Sequence, residues 1–171
     1  PEPHFFLRSD EYEKGLEYYS TKYFRSAPAG SVAGEISTSY LYQPWVAPRI
    51  ATEVPQVKLL VMLRNPVLRA YSNYVFTRTN GLESLPFARA IREEPRRIAS
   101  PADRFQFEVQ PFAYIDRGRY ARQLKRYLAF FPGDRIHVIL FCDFVANMTR
   151  EMERLAAFLE AAGRPASRAA E

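Results

Sequence analysis

Residues 58–74 read KLLVMLRNPVLRAYSNY, and this stretch restricts the fold more than any other. Lys58 to Leu63 is a continuous apolar run, the pattern of a strand buried on both faces. It runs into Arg64, turns on Asn65-Pro66 and continues as a helix to about Thr79, where Asn80-Gly81 stops it. Pro66 suits the first helical position, because its missing N–H would have no intrahelical partner there. Ligands of parallel α/β sheets bind beyond the carboxyl ends of the strands. Arg64 occupies such an end, and free N–H groups and a partial positive dipole at the helix start favour an anion. Ser72 lies about two turns into the helix, and Arg69 shares its face at a spacing of three. The competing reading is purely structural: an ion pair for Arg64, a solvated Arg69, and a Ser72 hydroxyl bonded back to the carbonyl four residues earlier.

The rest of the chain alternates helices with apolar segments. Helices are expected over Asp10–Phe24 (with Ser9 or Asp10 as cap), Trp45–Glu53, Pro86–Arg97 (with Ser84 as cap), Gly118–Phe131 and Met148–Ala162. Arg135–Phe141 is a second buried strand, and Ala99–Ala113, with its prolines, is expected to be a long loop. Strands alternating with helices predict an α/β domain around a mostly parallel sheet. Two strands are few for a free-standing sheet, so part of it is expected to lie in unrecognised strands or outside this segment.

Composition narrows the function. No apolar run approaches the roughly 18 residues of a membrane span, and no signal peptide opens the chain. The single cysteine, Cys142, excludes an internal disulfide and is expected to be a buried small residue. The formal charge is +5 and only four of the 24 basic residues are lysine. Arginine suits bidentate contact with phosphate or sulfate, although an Arg- and Ala-rich composition also follows from G+C-rich coding and suggests a bacterial cytoplasmic protein. The basic residues are dispersed, which disfavours nucleic-acid binding.

LRNPVLRAYSNY resembles the 3′-phosphate-binding motif, R-(D/N)-P-x-x-R-A-x-S-x-Y, of sulfotransferases that use 3′-phosphoadenosine 5′-phosphosulfate (PAPS). The resemblance extends along the chain. EPHFF, Glu2 to Phe6, is similar to the E-x-H-F-F segment of heparan-sulfate-type and related bacterial sulfotransferases. GEISTSYLY is similar to their G-E-x-(S/T)-P-x-Y segment, and YIDRGRYARQLKRYLAFFP with RIHVILFCDF resembles the stretch before their last helix. The resemblance implies a three-layer, P-loop-like sulfotransferase fold in a single domain over 1–171. It implies PAPS as sulfuryl donor, a hydroxyl or amine of a glycan, lipid or small metabolite as acceptor, and no metal. Arg64 and Ser72 would hold the 3′-phosphate, Glu2 would be the base that takes the acceptor proton, and His4 would assist it. If the segment is extended, Glu2 and His4 point the same way. A structural hydrogen bond is the other role open to His4.

Three departures qualify the resemblance. No K-x-G-T-(S/T)-x-L phosphosulfate loop is present, since Lys14, Lys22, Lys58 and Lys125 lack a Gly-Thr partner. Ile36 stands where relatives often carry lysine, and Thr38 where they carry proline. The chain closes on GRPASRAAE without the loop that shuts over the nucleotide. The expectation is a partial domain, lacking the N-terminal strand–loop–helix and the closing loop, and inactive alone. The rival readings are a non-catalytic module that kept the fold and a nucleotide-phosphate kinase using Asp143. The Phe105, Phe107 and Phe112 loop is the expected wall of the acceptor pocket.

Overall fold

The structure, a computed structural model, describes residues 2–28 and 31–160. The order is α1 (Ser9–Tyr12), α2 (Gly15–Phe24), α3 (Val46–Glu53), β1 (Leu59–Leu63), α4 (Pro66–Thr79), α5 (Phe87–Ala99) and α6 (Arg104–Val109). A 3-10 turn (Asp116–Gly118) leads into α7 (Tyr120–Leu128), and a second (Gly133–Arg135) into β2 (Ile136–Leu140). The helices α8 (Phe141–Ala146) and α9 (Met148–Glu160) follow. The expected end of the last helix at Ala162 lies outside the described residues.

Among the described residues the sheet has two parallel strands, with Leu59 opposite Ile136 and Leu63 opposite Leu140. Parallel pairing requires a crossover, and α4 to α7 supply it. Leu59 and Ile136 pack on the main core, which includes Phe5, Leu7, Tyr19, Val46, Ile50 and Tyr127. Side chains alternate across a strand, so His137 points to the opposite face, where its ring stacks on Phe158 of α9 at 5.0 Å. Helices therefore flank both faces, as expected of an α/β domain with a parallel sheet. The burial of β1 is less complete than its apolar run predicts: Leu60 and Met62 are half-exposed, at 49% and 51%.

Other expectations are corrected at points where local chemistry decides. Asp10–Phe24 is two helices, because the chain turns at Gly15 with φ +82, a conformation glycine adopts freely. Ser84 does not cap α5, whose N-cap position is Pro86 without a side-chain bond. The 99–113 segment is not a plain loop: Asp103 accepts from the Gln106 N–H at 2.7 Å and starts α6. Cys142 is exposed, and its thiol donates to Asp143 at 3.3 Å.

The junction from β1 to α4 is fixed from both sides. Asn65 Oδ1 accepts from the N–H groups of Val67 (3.0 Å) and Leu68 (3.2 Å), and Pro66 takes the first helical position. Across from it, Gly118 lies so close that a Cβ there would stand 3.0 Å from Pro66 Cβ. The buried Glu94 carboxylate holds the turn around Gly118 by accepting from the Ile115 N–H (2.8 Å) and the Asp116 N–H (2.7 Å). The Glu2–Leu7 segment is tied down as well. Phe5 stacks on Tyr19 at 4.4 Å, Trp45 Nε1 donates to the Leu7 carbonyl at 3.0 Å, and Arg49 donates to the Phe6 carbonyl at 3.0 Å.

Two outcomes follow. Gly118→Ala is expected to destabilise the fold by about 1–3 kcal/mol through overpacking on Pro66, read from urea unfolding. Glu11 accepts from Lys14 at 2.6 Å and Lys22 at 3.0 Å, and these bonds hold its carboxyl at about 2 against an ordinary 4.5. A depressed carboxylate contributes stability above its unfolded pKa that is lost as pH falls through the folded one. Glu11→Gln should therefore flatten the loss of thermal stability between pH 4.5 and about 2.

Candidate active site

Glu2 is held by the segment that follows Glu35. Its Oε2 accepts from the Thr38 N–H at 2.9 Å and from the Thr38 hydroxyl at 3.0 Å, and His4 Nε2 lies 3.3 Å from the same oxygen. Thr38 thus explains its own departure from the family pattern: a proline there would have neither donor. His4 and Glu2 meet as expected, but not through an extended segment. His4 has φ 52, in the left-handed region, and the Leu7 and Arg8 N–H groups close a turn on its carbonyl at 3.1 and 3.0 Å. Its own N–H donates to Ser37 Oγ at 3.1 Å.

At the strand–helix junction Arg64 is exposed and makes no ion pair among the described residues. Its guanidinium lies 5.7 Å from the centre of the Phe141 ring, and its carbonyl accepts from the Tyr120 hydroxyl at 3.0 Å. Ser72 is exposed, and its hydroxyl makes no hydrogen bond among the described residues, so the back-bonded reading does not hold. The start of α4 differs from expectation. The Val67 and Leu68 N–H groups are taken by Asn65, and the Arg69 N–H by the Asn65 carbonyl at 2.9 Å. An anion at this junction would have to be met by side chains. Arg69 does not share Ser72's outlook: it turns inward and donates to the Tyr114 carbonyl.

A cavity of about 340 Å³ has Thr38 and Arg64 both in its wall, while Glu2, His4 and Ser72 lie outside that wall. Arg69, Arg117, Tyr120 and Phe105 also line it. Of the expected aromatic wall, only Phe105 is there. Phe107 stacks on Trp45 at 5.2 Å, and Phe112 lies under the Arg97 guanidinium at 4.5 Å.

Arg69 and Arg117 give this cavity its charge. Arg117 donates to Ser39 Oγ at 3.3 Å and to the Val109 carbonyl, and it lies 4.7 Å from the Tyr42 ring centre. Neither arginine pairs with a carboxylate among the described residues. Burial pushes both guanidinium groups down, Arg117 to about 10, with the charge of Arg69 adding to the effect. Two partly buried cations that pair with no carboxylate among the described residues favour an incoming anion. The sequence reading missed Arg117 and Tyr120. The signal for them was Gly118 between them, whose missing Cβ lets the turn lie on Pro66.

Comparison with known proteins gives the family. The sulfotransferase domain family matches residues 2–168, and the chain belongs to that family. It is 32% identical over 158 residues to human heparan sulfate glucosamine 3-O-sulfotransferase 6, covering 92% of this chain and 43% of the relative. It is 27% identical over 158 residues to human heparan sulfate glucosamine 3-O-sulfotransferase 5, with 92% and 44% covered. The chain therefore spans less than half the length of these relatives. A crystal structure of a sulfotransferase from Alicyclobacillus acidocaldarius superposes with a TM-score of 0.78 at 30% identity, covering 99% of this chain and 72% of the other. Among the described residues no helix is long and apolar enough to cross a membrane.

Sulfate should stabilise the protein through the cavity arginines. Because sulfate also stabilises proteins by exclusion from their surface, the comparison decides. At matched ionic strength the rise in Tm with sulfate should be smaller in Arg117→Met than in wild type, and equal rises would contradict the cavity site.

Proposed function

We propose that the protein transfers a sulfuryl group from PAPS to a hydroxyl or amine, with Glu2 as general base and with Arg64 and Ser72 holding the 3′-phosphate. The observation that carries this reading is the shared cavity. Thr38, which holds Glu2, lines one part of it, and Arg64, at the end of β1 and without an ion pair among the described residues, lines another.

The residues present fit the donor at its 3′-phosphate end. The Arg64 guanidinium at the strand end and the Ser72 hydroxyl about two turns into α4 make no ion pair or hydrogen bond among the described residues. Charge-assisted bonds from such groups to phosphate are roughly twice as strong as neutral ones. At the other end Glu2 would take the proton of the acceptor as its oxygen or nitrogen bonds to sulfur. The S–O bond to the 5′-phosphate breaks, and adenosine 3′,5′-bisphosphate leaves with the electron pair. The Thr38 donors and His4 keep the carboxylate turned in one direction, which is the positional part of general-base catalysis. Arg69 and Arg117 offer positive charge to the leaving phosphate or to an anionic acceptor. The relatives' names make an amino-sugar glycan the first acceptor to try, and the acceptor is otherwise a glycan, lipid or small metabolite.

Sulfuryl transfer from PAPS by the full-length protein tests the reading. Glu2→Gln should lower kcat about 10²–10⁴-fold with little change in nucleotide affinity, whereas Arg64→Ala should act mainly on the KM for PAPS. Nucleotide binding without turnover on any acceptor class would favour the non-catalytic module. Absence of nucleotide binding by the full-length protein would contradict both.

A further inference from the structure

Glu35 opens the same GEIST segment and has no part in the function proposed above. Both of its carboxylate oxygens are shielded from solvent and make no hydrogen bond among the described residues. A bare buried acceptor is costly, on the order of 1–3 kcal/mol. Burial pushes this carboxyl up, while the hydroxyls of Tyr40 and Tyr19 approach it without completing hydrogen-bond geometry. The charges that act on it are those of His4, which favours the carboxylate, and Glu2, which opposes it. Tyr23 of α2 faces the same region through Tyr19.

His4 has the complementary gap. Its Nε2 faces Glu2 at 3.3 Å, but its Nδ1 is buried and unpartnered among the described residues. The residue also sits at φ 52, which costs a non-glycine residue on the order of 1 kcal/mol. The strain persists because Ser37 and the turn to Arg8 hold it, and such strain gathers where a side chain must be aimed. One strand of chain thus supplies Thr38 to Glu2, Ser37 to the His4 backbone, and Glu35 to the region of the His4 ring.

We infer that Glu35 is a positioning residue for the base: it accepts the Nδ1–H of His4 through one bridging water, and so keeps Nε2 turned on Glu2. The inference rests on the reading of Glu2 as base. Glu35 touches neither donor nor acceptor; it acts through His4. With Nδ1 donating toward Glu35 and Nε2 donating to the Glu2 carboxylate, each ring nitrogen carries a proton, because a bare Nε2 would oppose Glu2 with a lone pair.

The test is the ring spectrum of His4. The sequence has two histidines, so long-range ¹H–¹⁵N spectra of the full-length protein show two imidazoles, and His137→Asn assigns them. The expected result is a His4 ring protonated at both nitrogens in the wild type, with the Nδ1 proton lost or fast-exchanging in Glu35→Gln. Alongside it, kcat should fall about tenfold to a hundredfold with KM within about twofold, and Glu35→Asp should recover part of the rate. A His4 ring unchanged by Glu35→Gln would overturn the inference. If that variant does not fold, the wild-type spectrum decides alone, and a neutral ring protonated only at Nε2 overturns it. The spectrum needs no PAPS. A normal ring response without turnover would sink the proposed function instead, and loss of rate in Glu2→Gln but not in Glu35→Gln would sink only the role of Glu35.

Discussion

The capping of α4 by Asn65 and Pro66 is the constraint on which the rest depends. It spends the first N–H groups of the helix on the chain itself, so α4 leaves β1 in one direction only. That direction exposes Arg64 at the strand end and turns Arg69 inward to Tyr114. It also sets Pro66 against Gly118, and the turn pressed there carries Arg117 and Tyr120 to the cavity. An N-cap contributes only about 1 kcal/mol. Its consequence here is geometric: three arginines reach one cavity from two elements far apart in sequence.

The cavity trades stability for charge. A partly buried arginine without a carboxylate is costly, and the protein keeps Arg69 and Arg117 in that condition, whereas the buried Glu83, Glu108 and Glu151 each pair with an arginine. Glu83, for example, accepts from Arg97 at 2.5 Å and from the Tyr114 hydroxyl at 2.8 Å. The same contrast marks Glu35 and His4, whose buried polar atoms lack partners beside a carboxylate that has three.

What was legible in the sequence was local. The strand, the Asn-Pro turn and the helix from Pro66 to Thr79 follow from neighbouring residues and stand where expected, as does the parallel pairing implied by two apolar runs with helices between. The family resemblance led to Glu2, His4, Arg64 and Ser72, and the structure places the first two in contact, while the side chains of the last two make no ion pair or hydrogen bond among the described residues. What was not legible depends on tertiary contact. Nothing local marks Arg117 among so many arginines, or says that Arg69 turns away from Ser72. Thr38 looked like a lost proline until its N–H and hydroxyl were seen on Glu2. The left-handed His4 is invisible to a pattern that treats the segment as extended, and Asp103 starts a helix in a stretch whose prolines suggest a loop.

The central claim is that the Arg64–Ser72 junction reads a 3′-phosphate. It is tested most directly by the affinity of the full-length protein for adenosine 3′,5′-bisphosphate against adenosine 5′-monophosphate, measured by titration calorimetry in wild type and in Arg64→Ala. The account predicts that the bisphosphate binds at least about tenfold more tightly to wild type, a difference of about 1.4 kcal/mol, and that this preference collapses in Arg64→Ala. Equal affinity for the two nucleotides, or a preference that survives the substitution, would contradict it.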